Sequence, residues 1–249
     1  GWGLMRAAGG VRKGVVVIPI WASVGGREMR EVQPGGYVCC GDGLREGVCV
    51  LEVGPGGLAE DPTEAVAQDM CIRLGRSQTL PAILSEWTSL LVRQESAAQT
   101  HLRHLACTLS DIGSHEHPEY RAEQTYWRVL RLQGAGFDHQ ARSWLALVLA
   151  VRYAVELDAP FLTTSRLLLT DDQWRSAVAL GLTLRLAYSL SGGSGLLLEG
   201  TSLLWEGEEL VLTLTSGRVA VKGESGRRGL ERLGQALGVA TRFAAELVD

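Results

Sequence analysis

The sequence predicts a mostly α-helical chain with α+β ends, on three observations. Apolar residues recur at helical spacing from about Asp61 to Leu190; short β-branched and glycine-broken stretches precede that region; an alternating stretch around Leu210 to Leu214 follows it. The expected divisions are residues 1–58, 59–190 and 191–249.

In chain order, Val15 to Ile18 is a β-branched run stopped by Pro19, and Tyr37 to Val53 is strand-like but broken by Gly41, Gly43 and Gly47. So few strands cannot close a sheet, so this part reads as a piece of a larger α/β domain in which the chain begins. Gly54-Pro55-Gly56-Gly57 reads as a linker. Asp61-Pro62-Thr63-Glu64 then carries helix-start chemistry: Asp as cap, Pro at the first helical position, and Glu able to reach back to the cap. Leu102, Leu105, Leu109 and Ile112, then Leu145, Val148 and Leu149, then Trp174, Val178 and Leu184, predict five or six packed helices. Ser191-Gly192-Gly193-Ser194-Gly195 reads as a turn, after which Leu210, Leu212 and Leu214 alternate beyond a turn at Glu206 to Glu209 and predict a hairpin. Leu230, Leu233 and Leu237 form one face of a last helix ended by Gly238, and Thr241 to Val248 is a candidate final strand.

Composition narrows the function classes. With 249 residues and 46% hydrophobic content the chain can bury a sizeable core. A formal net charge of -4 supplies no global basic field, so nucleic acid is not expected as a partner and any polyanion needs a local patch. Lys13 and Lys222 are the sole lysines among 24 cationic residues; arginine suits bidentate phosphate recognition, but the codon bias of a GC-rich genome produces the same skew and is the preferred explanation. Cys39, Cys40, Cys49, Cys71 and Cys107 include no CxxC pair, which argues for reduced, buried thiols and against a disulfide framework or zinc site. The longest apolar run, Trp144 to Val151, is too short to span a membrane, and no secretory leader is evident, so a cytoplasmic location is expected.

Three features invite a metal reading. Ser110-Asp111 lies where a His-Asp pair would bind metal in an HD-type phosphohydrolase, but a serine hydroxyl is a poor ligand for a transition metal, so Asp111 reads as a cap or core partner and no metal is assigned. His101 and His104 share a helical face and read as a solvated or packed pair, and Ser114 to Gln124 offers His115, Glu116 and His117 in a loop that no third cluster completes. Pro118 reads as the opening of the next helix.

A family resemblance rests on six pieces in order: Asp-Gly-Leu-Arg-Glu-Gly (Asp42 to Gly47), Asp61-Pro62, Leu-Ser-Asp-Ile-Gly (Leu109 to Gly113), His-Pro-Glu-Tyr-Arg-Ala-Glu-Gln (His117 to Gln124), Leu-Arg-Leu-Ala-Tyr-Ser-Leu-Ser-Gly-Gly (Leu184 to Gly193) and Leu-Glu-Arg-Leu-Gly-Gln-Ala-Leu-Gly (Leu230 to Gly238). Together they resemble the C-terminal part of the exopolyphosphatase and guanosine pentaphosphate phosphohydrolase family. The resemblance implies the remnant of an actin/hsp70-like α/β lobe, an HD-like helical bundle, and a small unit of β-hairpin plus helix. It also implies a homodimer, polyphosphate or guanosine pentaphosphate as the parent protein's substrate, and magnesium as its cofactor. The segment Ala22 to Val32, with Gly25, Gly26 and four charges, departs from the apolar helix usual there.

The family's Gly-rich acidic loops are not found ahead of Asp42, so no catalytic residue is assigned and this chain is expected to be non-catalytic, its own bound cofactor none. Position in the family makes Arg45, Arg121, Arg152 and Arg185 the candidate substrate-binding residues. The bland alternative pairs Arg121 with Glu119 or Glu123 and Arg152 with Glu156. Two rival functions stand beside this one: a metal-dependent HD phosphohydrolase acting on nucleotides, against which Ser110 counts, and a non-enzymatic helical interaction module. Because the helical part carries capped helices and continuous apolar faces while the first strands expose unpaired edges, limited proteolysis is expected to cut first before Asp61. Early cleavage inside the helical region with the first 53 residues protected would show the boundary to be misplaced.

Overall fold

The computed structural model describes residues 60–92, 94–132, 136–214 and 224–245, together with scattered positions between 23 and 52. Contacts divide the chain into two units, Gly1–Glu52 and Val53–Asp249. In the first, Ser23, Gly26, Arg27 and residues 29–32 are helical, with Arg27 Nε donating to Glu31 one turn on at 3.0 Å. Val48 and Glu52 are also helical, which differs from the strand expected over that stretch. The Val15 to Ile18 run and Asp42 to Gly47 lie outside the described residues.

The second unit begins with α1 (Pro62–Leu74), where Asp61 caps by accepting from Thr63 N at 2.8 Å and Pro62 occupies the first helical position. Glu64 does not return to the cap as expected; its carboxylate faces His101 at 3.5 Å. There follow α2 (Leu80–Ser89), α3 (Ala97–Leu109), α4 (Arg121–Leu130), α5 (His139–Arg152), a 3-10 turn at Pro160–Leu162, α6 (Thr163–Leu168) and α7 (Asp171–Ser191). Capping boxes open α3 and α7, Ser96 with Gln99 and Thr170 with Gln173, and Asp138 caps α5. Between residues 62 and 191 the described residues thus form seven α-helices against the five or six expected. Helix α4 starts at Arg121, three residues beyond Pro118, and its cap position, Tyr120, contributes no side-chain hydrogen bond.

Helix α5 organises the unit. Its run from Leu145 to Ala150 is fully buried, and α3, α4, α6 and α7 all pack against it. A helix apolar on every side has no solvent face to present, so it can only be central. Where α7 crosses it, Gly181 allows near backbone contact: a β-carbon there would stand 2.6 Å from the Val148 carbonyl oxygen.

Gly192 ends α7 in the left-handed conformation at φ 60, and a short helix α8 (Gly195–Glu199) intervenes before the hairpin. The hairpin is β1 (Thr201–Glu206) antiparallel to β2 (Glu209–Leu214), turning at Gly207 with φ 62. Helix α9 (Glu224–Leu237) ends before Gly238, also left-handed, and returns the chain so that β3 (Thr241–Ala245) pairs parallel with β2, in sheet order β1-β2-β3. Central position buries both faces of β2, with Leu210, Val211 and Leu212 all at 0% exposure, so its alternation does not sort buried from exposed side chains. Two indole donors fasten sheet to bundle: Trp87 to Thr201 Oγ1 at 3.1 Å and Trp205 to the Leu91 carbonyl at 2.8 Å.

Gly181→Ala sets helix propensity against packing. The substitution gains about 1 kcal/mol of intrinsic helix preference, whereas pressing a methyl on a neighbouring helix's backbone costs about 1–3 kcal/mol. Backbone cannot swing aside as a side chain can, so a net loss of stability is expected, read as a lower urea midpoint; an unchanged or higher midpoint would show that the crossing has slack.

Candidate anion-binding site at the end of helices α3, α5 and α7

Asp111 stands just past the end of α3 at 5% exposure, and a buried carboxylate requires partners. Arg76, in the connection between α1 and α2, supplies three donors: its backbone N at 3.0 Å and Nε at 2.9 Å from Oδ2, and Nη2 at 2.8 Å from Oδ1. This is a fork-on-fork pair. Arg152, the last residue of α5, brings Nη2 to 3.7 Å from the same Oδ1. Hydrogen bonding to Asp111 holds Arg76 more firmly protonated than an ordinary arginine.

Ser110 also serves the junction. Its hydroxyl donates to the Cys107 carbonyl at 2.7 Å, so Tyr188 of α7 is the donor in the 2.9 Å bond between their oxygens. The Tyr188 ring lies under the Arg152 guanidinium at 3.6 Å, and the Tyr153 ring lies 4.4 Å from Arg152 and 5.2 Å from Arg121. Burial first, and nearby Asp111 among the further causes, pushes both phenols above their ordinary range, so neither is a base at neutral pH. Tyr153 is fixed by accepting from Gly113 N at 3.0 Å, and a β-carbon on Gly113 would meet Thr125 Oγ1 at 2.1 Å.

Of the sequence-selected arginines, Arg121 and Arg152 flank the Tyr153 ring, and Arg185 lies within electrostatic range of both. Arg121 opens α4, Arg152 closes α5 and Arg185 lies on α7; burial first, then the charges of Arg232, Arg152 and, more weakly, Arg121, hold the Arg185 guanidinium below its ordinary affinity for a proton, with Glu156 opposing. Arg45 lies outside the described residues. The bland pairings are not those the structure makes: Arg152 turns to Asp111, and Glu123 accepts from the Trp127 indole at 3.2 Å. The Nε atoms of Arg121 and Arg152 are buried with no hydrogen-bond partner among the described residues. Beside Arg185, a cavity of about 380 Å³ opens between α7 and α9, lined by Arg185, Ser189, Ser225, Arg228 and Arg232, with Arg228 neutralised by Glu224.

Residue pattern alone did not single out Arg76, Tyr153, Tyr188 or Arg232. Arg185 and Tyr188 are three apart on one helical face and Arg152 adjoins Tyr153, a signal that was available. Arg76 carries none, because its partner is 35 residues distant.

The other candidates resolve into structure. His101 Nε2 lies 2.8 Å from Thr63 Oγ1, whose proton is directed to Asp61 Oδ1 at 2.6 Å, so the imidazole donates to the Thr63 hydroxyl and is no base for it. Glu116 pairs with Arg128 at 2.6 Å, and His117 accepts from Glu119 N at 3.3 Å. His104 lines a small cavity between α1, α2 and α3. Among the described residues no group of histidine, cysteine and acidic side chains could hold a metal, and Cys71 and Cys107 are free and buried. Burial pushes the Cys107 thiol up to about 11.

The family profile described as exopolyphosphatase, C-terminal, matches residues 65–244, spanning the helices and the three-stranded sheet. The chain belongs to the exopolyphosphatase family, as its C-terminal region. A search of curated proteins returned no match. The exopolyphosphatase C-terminal region here has no described helix long and apolar enough to cross a membrane. Magnesium, the cofactor the family resemblance implies, finds no fitting acid cluster among the described residues, since the Asp111 oxygens face guanidinium groups.

Purified protein is expected to carry no near-stoichiometric manganese, iron or zinc by elemental analysis, because Asp111 already has cationic partners and Ser110 offers a weak ligand. Stoichiometric metal that disappears in Asp111→Ala would reverse this assignment.

Proposed function

We propose that this HD-like region is the substrate-guiding part of a phosphohydrolase that releases terminal phosphate from polyphosphate or guanosine pentaphosphate, with Arg121, Arg152 and Arg185 contacting the phosphates. The observation that carries it is the pair of buried Nε donors of Arg121 and Arg152 that have no partner among the described residues, within electrostatic range of Arg185. Membership in the exopolyphosphatase family supports a phosphate-rich substrate. A buried guanidinium with an open donor is costly unless something accepts from it, and a phosphate oxygen is the acceptor whose geometry and charge suit it best.

Hydrolysis of a phosphoanhydride requires donors around the leaving phosphate, a cation, and a positioned water. Among the described residues, the arginine cluster supplies the first of these. We therefore assign this region to binding and place the bond-breaking residues outside the matched segment. The cluster holds the chain by charge-assisted hydrogen bonds that carry no base specificity, so the reading covers both substrates.

Titration with polyphosphate at two salt concentrations tests it, since contacts between cations and phosphates weaken steeply as salt rises. The triple replacement of Arg121, Arg152 and Arg185 by Gln is expected to abolish salt-sensitive binding and to leave no phosphate-release activity to lose. Absence of binding by the unaltered chain at low salt would leave the region a scaffold; phosphate release above a heat-treated control would overturn its non-catalytic assignment.

A further inference from the structure

The Asp111 junction contains a second, separable feature. Arg76 is half-exposed, with its side chain at 47%, while the carboxylate that grips it is buried at 7%. The grip uses Nε and one Nη2 proton, leaving the Nη1 amino group and the other Nη2 proton without a partner among the described residues. The guanidinium is thus fixed in orientation on one edge and open on the other. It converges with Arg152 on the same Asp111 oxygen, and it senses Tyr188 and Tyr153, the rings that Arg152 covers. The chain after α7 makes room for it: Gly193, at φ +90, would place a β-carbon 3.3 Å from Arg76 Nη2. A larger residue would press on the guanidinium.

We propose that Arg76 is a further anion ligand of the arginine cluster, and that Asp111 is the residue that positions it, a buried carboxylate orienting two guanidinium groups. This rests on the reading of the cluster as a phosphate site. The local charge supports a multiply charged ligand: Arg76 and Arg152 share the one Asp111 carboxylate, and Arg121 lies against the Tyr153 ring that Arg152 also covers. A single carboxylate shared by Arg76 and Arg152 cannot neutralise both, so positive charge remains for a phosphate.

Positioning and simple attraction predict opposite signs for one substitution. Asp111→Asn removes a negative charge from a cationic surface, so attraction alone predicts tighter binding of a polyanion. Loss of the fork releases Arg76, and positioning predicts weaker binding. The exposed acid Asp172, paired with Arg175 elsewhere, provides Asp172→Asn as the control for charge without positioning.

The experiment is titration of the full chain with polyphosphate of defined length at two salt concentrations. Arg76→Gln is expected to bind about tenfold more weakly, the loss of one charge-assisted hydrogen bond, with a shallower salt dependence. Arg76→Lys, which keeps the charge but not the fork, is expected to recover part of the affinity and most of the salt dependence. Asp111→Asn, confirmed folded by circular dichroism, is expected to weaken binding while Asp172→Asn does not. Wild-type affinity in Arg76→Gln, or tighter binding by folded Asp111→Asn, overturns the proposal while the phosphate-site reading stands on the triple variant. No binding by the unaltered chain overturns both. Should Asp111→Asn fail to fold, the Arg76 pair, on a half-exposed side chain, decides the question.

Discussion

The buried carboxylate of Asp111 is the constraint around which the polar part of the bundle is arranged. An ionised acid inside a protein is tolerated when its oxygens are met by donors and its charge by a cation. Asp111 obtains both from Arg76, and that bond attaches the α1–α2 connection to the end of α3. It also draws in Arg152 from the end of α5, where a cation is favoured by the helix dipole. Three segments distant in sequence are thereby joined at one point, and α7 covers the junction through Tyr188.

Packing determines how firmly that point is held. Helix α5 carries Arg152 at its end and is buried along its whole middle, so the guanidinium is delivered by the most enclosed element of the unit. The close crossing at Gly181 brings α7 near enough for Tyr188 to lie 3.6 Å under Arg152, and Gly113 lets Tyr153 and Thr125 approach from the other side. Glycines at these two places work by absence: each omits a side chain where a neighbour's atoms already stand. Rigid placement of a few polar groups by an apolar core is what makes a site of them.

What the sequence made legible follows from the range of the interactions concerned. Caps and periodicity are local, so the starts of α1 at Asp61, the face of α3 through Leu105 and Leu109, and the end of α9 at Gly238 could be read directly. Pro118 misled by three residues because proline is equally at home in the turn that precedes α4. The short helix after Ser194 and the parallel pairing of β3 left little local trace, since a five-residue helix has barely one turn of pattern and a parallel partner is chosen by the crossover. At the site, Arg121, Arg152 and Arg185 stood out through the family resemblance and not through a local pattern. Asp111 was noticed through its resemblance to a metal-binding position, but its true partner, Arg76, is fixed by tertiary packing alone.

That outcome bears on why arginine is used here. A lysine in place of Arg152 could not lie flat on Tyr188 while still reaching toward Asp111, because an ammonium is a compact point charge and a guanidinium a plane with edge donors. The planar group can give its face to an aromatic ring, one edge to a carboxylate, and retain further donors such as the buried Nε of Arg152. Those open donors cost stability in the free protein. An anion that accepts from them binds the folded chain and not the unfolded one, so occupation of the cluster would raise stability as it fills. On the proposed reading of the cluster, the guanidinium groups that leave the junction incompletely satisfied are the ones through which a phosphate chain would complete it.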